Sequence, residues 1–471
     1  MQPETRSFKI NARRALADGN LQRALARAKS GFIDKRHAAV SALPEFDRLR
    51  DQAKEIKDHT LAHLDFYLER FEAQVQANGG YVHWARTAKE ACEAIIGICQ
   101  RGGAKMVTKG KSMTAEEIGL NEALIKADIE PVETDLGEYV LQLANEPPSH
   151  IIAPAVHKTR EQIAELFQAH HDQGGDIDKH CGVPELVAEA RRVLRKKFLT
   201  ADAGITGANF LIAETGSSVI VTNEGNGDLT CTLPRVHIVT AGIEKLVPTL
   251  EDTAVFLRVL GRSATGQEMT AYTTFTTGPR RTHDLDGPDE YHVVLIDNGR
   301  TEMLANEFRE MLRCIRCGAC LNHCPVYGTI GGHAYGWVYP GPMGAVLTPA
   351  LIGLEQSGDL PNACTLNGRC DAVCPVKIPL TRMLRSLRER QFTLSLTTRT
   401  TRYALSGWAF FAKRPRLYQM LARLAMFTLG KLGKRKGRFR RLPFAGSWTR
   451  SRDFPAPQGS TFQSLWHKAG K

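Results

Sequence analysis

Apolar residues recur at helical spacing from about residue 12 to 78, with Leu61, Leu64, Leu68 and Phe71 on one face of a charged segment that Gly79-Gly80 closes. This spacing predicts a helical N-terminal arm over 1–78. From about 81 to 300, candidate helices alternate with short apolar runs at 105–108, 151–153, 210–222, 236–240 and 293–297. Three helix starts carry the Thr-x-x-Glu/Gln pattern in which two side chains each satisfy an orphan backbone N–H: Thr87/Glu90, Thr114/Glu117 and Thr159/Gln162. Such alternation predicts an α/β domain over 79–301.

The pattern changes again near residue 302. A short helix (302–313) leads into a block of cysteines with Gly and Pro between Cys324 and Cys364, and an Arg-rich helix (380–391) closes it. These features predict a separate, loop-rich module over 302–391. The remainder, 392–471, holds Trp408, Phe410 and Phe411, a helix with Leu417, Met420, Leu421 and Leu424 on one face, and the run KLGKRKGRFRR at 431–441. Apart from the two cysteine motifs, no internal repeat is evident.

Composition adds little to this picture, and charge adds more. The 471 residues, 42% hydrophobic and 24% charged, suffice for two or three cores without staples. Of the formal charge of +12, residues 402–471 contribute +15, from sixteen Lys or Arg against Asp453 alone, which leaves −3 for the rest. The basic character therefore belongs to the tail. The N-terminus lacks the apolar core of a signal peptide, and the apolar run 404–412, broken by Ser406 and Gly407, is far shorter than the ~18 residues a spanning helix needs.

Seven of the eleven cysteines crowd into sixty-one residues at ligand-like spacing, which fits a reducing cytoplasm rather than a disulfide framework. Cys314-Ile-Arg-Cys317-Gly-Ala-Cys320-Leu-Asn-His-Cys324-Pro325 has the C-x2-C-x2-C-x3-C-P spacing of bacterial ferredoxins. The second motif, Cys364-Thr-Leu-Asn367-Gly-Arg-Cys370-Asp-Ala-Val-Cys374-Pro375, has Asn367 at the place of its second cysteine. In such pairs the fourth cysteine of each motif serves the other cluster. That rule assigns Cys314, Cys317, Cys320 and Cys374 to one cluster, and Cys324, Cys364 and Cys370 to its neighbour. Two iron–sulfur clusters of the 4Fe-4S type are expected, the second one thiolate short. A 3Fe-4S cluster, a 4Fe-4S cluster with a non-cysteine ligand at the open iron, and a remote Cys181 or Cys231 all remain open; the second is favoured. Paired zinc sites fit poorly, because zinc has no use for a third cysteine two residues on followed by C-P.

This block, together with GITGANFLIAETGSSVIVTNEGNGDLTCTLPRVHIVTAGIEKLVPT at 204–249, resembles the lactate utilization protein B family over nearly the whole chain. The resemblance implies an α/β lactate-utilization domain, similar to the ribose-phosphate isomerase and CoA-transferase group, then a helical two-cluster ferredoxin module and a basic helical tail. It also implies two partners: a cysteine-rich heterodisulfide-reductase-like subunit and a second lactate-utilization-domain subunit. Family members carry C-x2-C-x3-C-P, which falls on Asn367, Cys370 and Cys374 here, so this chain departs at Asn367 and offers Cys364 three residues earlier.

Other signals are weaker. Gly110-Lys111-Ser112 fails as a phosphate loop because Lys105 stands where glycine is required, although Lys109 and Lys111 beside a helix start suit an anion. Glu214-Thr-Gly-Ser-Ser218 reads as a turn ahead of a ligand-facing loop. His170-His171 and His180-Cys181 lack a second ligand set at zinc spacing. Arg235, Arg280 and Arg281 suit either a substrate carboxylate or the surface. The basic tail favours a membrane surface or a protein partner over nucleic acid.

The reading that follows is a cytoplasmic electron-transfer subunit in the oxidation of L-lactate to pyruvate, with peripheral contact at the inner membrane face. The alternative makes the α/β domain itself an enzyme on a small anionic substrate, with the clusters as its electron outlet.

Overall fold

A run such as Val293-Val294-Leu295-Ile296, apolar at consecutive positions, suits a strand covered on both faces. The computed structural model describes residues 3–171, 181–442, 445–449 and 452–470, and it places ten strands in the α/β region. They are β1 (Tyr81–Ala85), β2 (Met106–Gly110), β3 (Glu130–Glu133), β4 (Ala203–Gly207), β5 (Phe210–Ile212), β6 (Ser217–Thr222), β7 (Val236–Gly242), β8 (Leu246–Val247), β9 (Tyr272–Thr276) and β10 (Glu290–Ile296). Six form a wholly parallel sheet in the order β1-β10-β7-β4-β2-β3. On β10, Val293 and Leu295 pack with Leu64, Leu68 and Phe71, while Val294 and Ile296 face Ile95 and Ile98 on the opposite side. The remaining four make a mixed sheet, β8-β5-β6-β9. The α/β architecture is thus the expected one.

Its details differ from the sequence reading in instructive ways. The run 210–222 is a hairpin of β5 and β6. Its turn needs Gly216, whose φ is +69° and whose Cβ would sit 2.6 Å from the Val75 nitrogen. Glu214 there accepts the Leu250 N–H at 3.1 Å, a turn contact. The run 151–153 is a loop, and β1, β3 and β9 lack the apolar signature because β1 and β9 are half exposed and β3 carries Pro131 at a sheet edge.

Of the three capping patterns, Thr159/Gln162 forms the full reciprocal box. Thr87 caps Glu90 N–H at 3.2 Å, but Glu90 turns to the Arg86 N–H. Helix Met113–Ile118 is capped by Ser112 rather than by Thr114, because Glu117 is drawn inward by Arg300.

The N-terminal region is four helices, Phe8–Ala17, Gly19–Ser41, Phe46–Ala62 and Leu64–Ala77, and it is packed rather than extended as an arm. Phe8 meets Tyr335 edge-on at 5.5 Å, and the Glu4 N–H donates to the Gly336 carbonyl at 2.8 Å.

The cysteine region is likewise not separate. Met311, Leu321, Tyr335, Trp337 and Val346 share one continuous core with Phe210, Ile212 and Val219 of the second sheet and Phe256 of helix Leu250–Ala264. The expected helix 302–313 is two pieces, Arg300–Leu304 and a short 3-10 turn Arg309–Arg313, and the closing helix is Leu380–Thr393. All of this lies in one compact unit, Met1–Arg390.

A second unit, Gln391–Lys471, contains helices Arg399–Ala412 and Pro415–Gly433. Within it Tyr403, Trp408, Phe410, Met420, Leu424 and Leu432 are exposed. No helix among the described residues is long and apolar enough to cross a membrane.

Candidate iron–sulfur site

The two cysteine motifs fold as the same turn twice. In the first, Arg316 (φ +58°) and Gly318 (φ +72°) lead into helix Ala319–Asn322. In the second, Leu366 (φ +56°) and Gly368 (φ +75°) lead into helix Arg369–Val373. Left-handed residues at these points turn backbone N–H groups toward sulfur. Cys364 Sγ accepts from Leu366 N–H at 3.2 Å, Cys374 Sγ from Ile378 N–H at 3.4 Å and Cys324 Sγ from Tyr327 N–H at 3.5 Å.

Cys314, Cys317, Cys320 and Cys374 line a single small cavity whose other walls include Ile151, Ile315, Met343, Val376, Ile378 and Leu380. Burial pushes the Cys374 thiol up to about 11, and raises those of Cys317 and Cys320 further. Four thiols converging in an apolar pocket are costly as bare thiolates, and a thiophilic metal centre is what relieves that cost. Arg36 and Arg50 hold the Val373 and Cys374 carbonyls, each at 3.0 Å, and place positive charge beside this group. The residues present fit a four-thiolate cluster.

Cys324, Cys364 and Cys370 form the other group: the charges of Cys364 and Cys324 act on Cys370 and that of Cys364 on Cys324, with Cys324 and Cys370 buried and Cys364 half-buried. Cys231 sits elsewhere, its thiol donating to the Asp228 carbonyl at 3.3 Å, and Cys181 packs with the core around Phe167. Asn367 Oδ1 accepts the Arg369 N–H at 3.1 Å. Cys317 takes the N–H of Ala319, two residues on, in the same way. The carboxamide oxygen of Asn367 therefore stands where the matching sulfur stands in the first motif.

Cover differs sharply between the two. A Cβ on Gly318 would meet His150, Ile152 and Ile151 at 3.3–3.5 Å, whereas one on Gly368 would meet nothing within 4 Å. The loop 149–154 of the α/β domain thus roofs the first motif, and the second is open.

A buried charge chain runs up to the first motif. Arg300 grips Glu117 at 2.9 and 2.8 Å and Glu244 at 2.6 Å; Glu244 in turn meets Arg316 at 3.3 Å, and Arg316 stacks 4.8 Å from the Tyr339 ring centroid. Burial works to raise Glu244, but Arg300 and Arg316 outweigh it and hold the carboxyl down to about 2. Lys57, lowered by burial to about 8, donates to the Glu244 and Leu246 carbonyls. Lys245, buried beside Arg316, is also lowered to about 8.

The ionic roles of these six residues did not stand out in the sequence, where Glu117 read only as a capping residue, because each pairing spans tens to hundreds of positions. Arg316 had a local signal too, lying inside the first motif.

The other candidates are accounted for by local partners. Lys109 is buried against Glu116 and Glu133 at 2.5 and 2.8 Å, and Lys111 pairs with Asp135 and Glu224, so neither has a free charge for an anion. Arg235 and Arg280 both reach Asp289 at the surface, at 3.6 and 2.8 Å, and Arg281 is exposed. His171 joins Glu189 and Tyr139 at 2.8 and 2.9 Å, and His180 lies outside the described residues. Glu146, His157 and His333 come together, but Lys158 holds Glu146 at 2.5 Å and His333 donates to the Pro147 carbonyl at 2.7 Å.

An α/β domain that roofs a paired-motif cysteine module defines an iron–sulfur protein. Residues 310–378 match the 4Fe-4S dicluster domain, residues 68–296 the LUD domain and residues 387–471 the C-terminal domain of lactate utilisation protein B. The chain belongs to the lactate utilization protein B family. It is 43% identical to Lactate utilization protein B of Oceanobacillus iheyensis over 99% of this chain and 97% of that one. With Lactate utilization protein B of Bacillus subtilis it shares 42% over 98% and 96%, and with the Uncharacterized electron transport protein YkgF of Escherichia coli K12 42% over 98% and 96%. Among solved structures, a duf162 family protein from Deinococcus radiodurans matches half of this chain and 98% of its own at 13% identity, with a TM-score of 0.28.

Proposed function

We propose that this protein is the iron–sulfur electron-transfer subunit in the oxidation of L-lactate to pyruvate, allowing lactate to serve as a carbon and energy source. The convergence of four thiols in one roofed apolar cavity carries the reading, and the relatives' names supply the substrate. Cys314, Cys317, Cys320 and Cys374 would hold one cluster, and Cys324, Cys364 and Cys370 the other, with the Asn367 carboxamide facing its fourth iron. Such clusters supply one-electron acceptors whose potential is tuned by charge, N–H···S bonds and exposure.

The remaining partners are a cysteine-rich heterodisulfide-reductase-like subunit and a second lactate-utilization-domain subunit. The tail, with its +15 charge and exposed aromatic and aliphatic side chains, is suited to the anionic inner face of a cytoplasmic membrane.

The test is anaerobic reconstitution followed by addition of L-lactate, with and without the partner subunits. Bleaching of cluster absorbance only when partners are present is the expected result. A colourless protein binding two zincs would sink the proposal.

A further inference from the structure

A second cavity, of about 180 Å³, opens at the carboxyl ends of β2 and β4. Here the strand order reverses: the chain leaves β2 for β3 on one side and returns to β4 on the other. In open parallel sheets the crevice at such a reversal is where ligands settle. Lys111 follows β2, Asn209 follows β4, Lys245 follows β7, and Arg316 comes from the first cysteine motif. The space is enough for a short organic acid.

The charges in it are sorted. Lys111 is neutralised by Asp135 and Glu224. Nearby, burial and then the charges of Glu133 and Asp135 push the Glu138 carboxyl up toward its neutral form, and its Oε2 has no hydrogen-bond partner among the described residues. Lys245 is the contrast: 8% exposed and lining the cavity, it makes no hydrogen bond or ion pair among the described residues. The neighbouring buried cations are all matched, Lys57 by two carbonyls, Arg300 by Glu117 and Glu244, and Arg316 by Glu244. An ammonium that faces a cavity and that no carboxylate or carbonyl holds is a ready counter-charge for an anion.

We infer that this cavity binds the carboxylate of a short hydroxy or oxo acid, with Lys245 as its counter-charge and Arg316 linking the site to the first cysteine motif. Glu138, whose buried Oε2 has no protein partner among the described residues, lines the same cavity. Choosing a hydroxy or oxo acid over a plain carboxylate rests on the lactate reading; the anion site itself does not. Because Lys245 and Arg316 both lie within electrostatic reach of Cys314, a bound carboxylate cancels positive charge there and lowers the first cluster's potential.

The experiment is calorimetric titration of the anaerobically reconstituted full chain with L-lactate, pyruvate and inorganic phosphate, comparing wild type, Lys245→Met and Lys245→Arg. Saturable binding of lactate or pyruvate is expected, weakened at least tenfold in Lys245→Met and partly restored in Lys245→Arg, with iron content unchanged. Absence of acid binding, equal binding by Lys245→Met, or phosphate binding instead would overturn the inference. As a check needing no variant, pyruvate should lower the first cluster's midpoint potential in the wild type, and no shift counts against the site. If acids fail to bind yet lactate reduces the clusters once partners are added, the site falls and the relay reading stands. If acids bind and partner-dependent reduction never appears, the reverse holds.

Discussion

The two cysteine motifs share one backbone and differ in what surrounds it. Both turn through a left-handed residue and a left-handed glycine into a short helix, at nearly equal angles. The first is roofed by loop 149–154 and flanked by Arg36, Arg50, Lys57, Lys245 and Arg316; the second opens outward at Gly368 and exposes Leu366. The same turn thus yields a dry, cation-lined pocket in one place and a solvent-facing one in the other, and the only change in the ligand positions is sulfur to carboxamide at Asn367. Exposure and the loss of one thiolate favour an extra electron at the second position, whereas at the first it is the surrounding cations that do so.

The sharpest way to break this comparison is to remove a thiolate from each side. Cys320→Ser should lose about four of the roughly seven or eight irons expected from crossed ligation and unsettle the core it lies in. Cys364→Ser should lose iron only from the second group, leaving the first group's absorbance. Iron analysis with visible spectra decides it, and equal damage from both variants would mean that the groups are not independent.

Next in size is Asn367→Cys, which should hold the iron count at about eight through mild oxidation. It should also lower the second cluster's midpoint by on the order of 60 mV or more, a tenfold one-electron change. An unchanged redox titration would show that Asn367 does not face the cluster.

The backbone can be tested with less. Alanine at either glycine meets a left-handed conformation costing about 1–2 kcal/mol. Gly318→Ala should cost more than Gly368→Ala, since its Cβ meets His150 at 3.3 Å. Chemical denaturation of the loaded protein measures both. The smallest effect on the clusters should come from truncation after Thr401: iron content stays the same while sedimentation with anionic vesicles is lost.

Much of this was legible in advance, for physical reasons that differ by region. Cysteine ligation is local, so the spacing announced both motifs and the missing thiolate at Asn367. Apolar runs announced β7 and β10 because both faces of those strands are covered. Edge strands β1, β3 and β9 were hidden by exposure or by Pro131, and Ser112 displaced Thr114 as a cap once Glu117 had a buried partner in Arg300. That pair is 183 positions apart, as is typical of what sequence periodicity misses. Lys245 was in plain view within a quoted stretch, yet only the fold reveals that it is buried without a protein partner.

The central claim is that the two cluster positions are unequal because one lacks a thiolate. Low-temperature electron paramagnetic resonance of anaerobically purified protein after mild oxidation tests it most directly. Loss of the weakly held iron at Asn367 on oxidation, leaving one paramagnetic three-iron centre per chain beside a silent four-iron cluster, is the predicted result. A wholly silent spectrum with eight irons retained would contradict it.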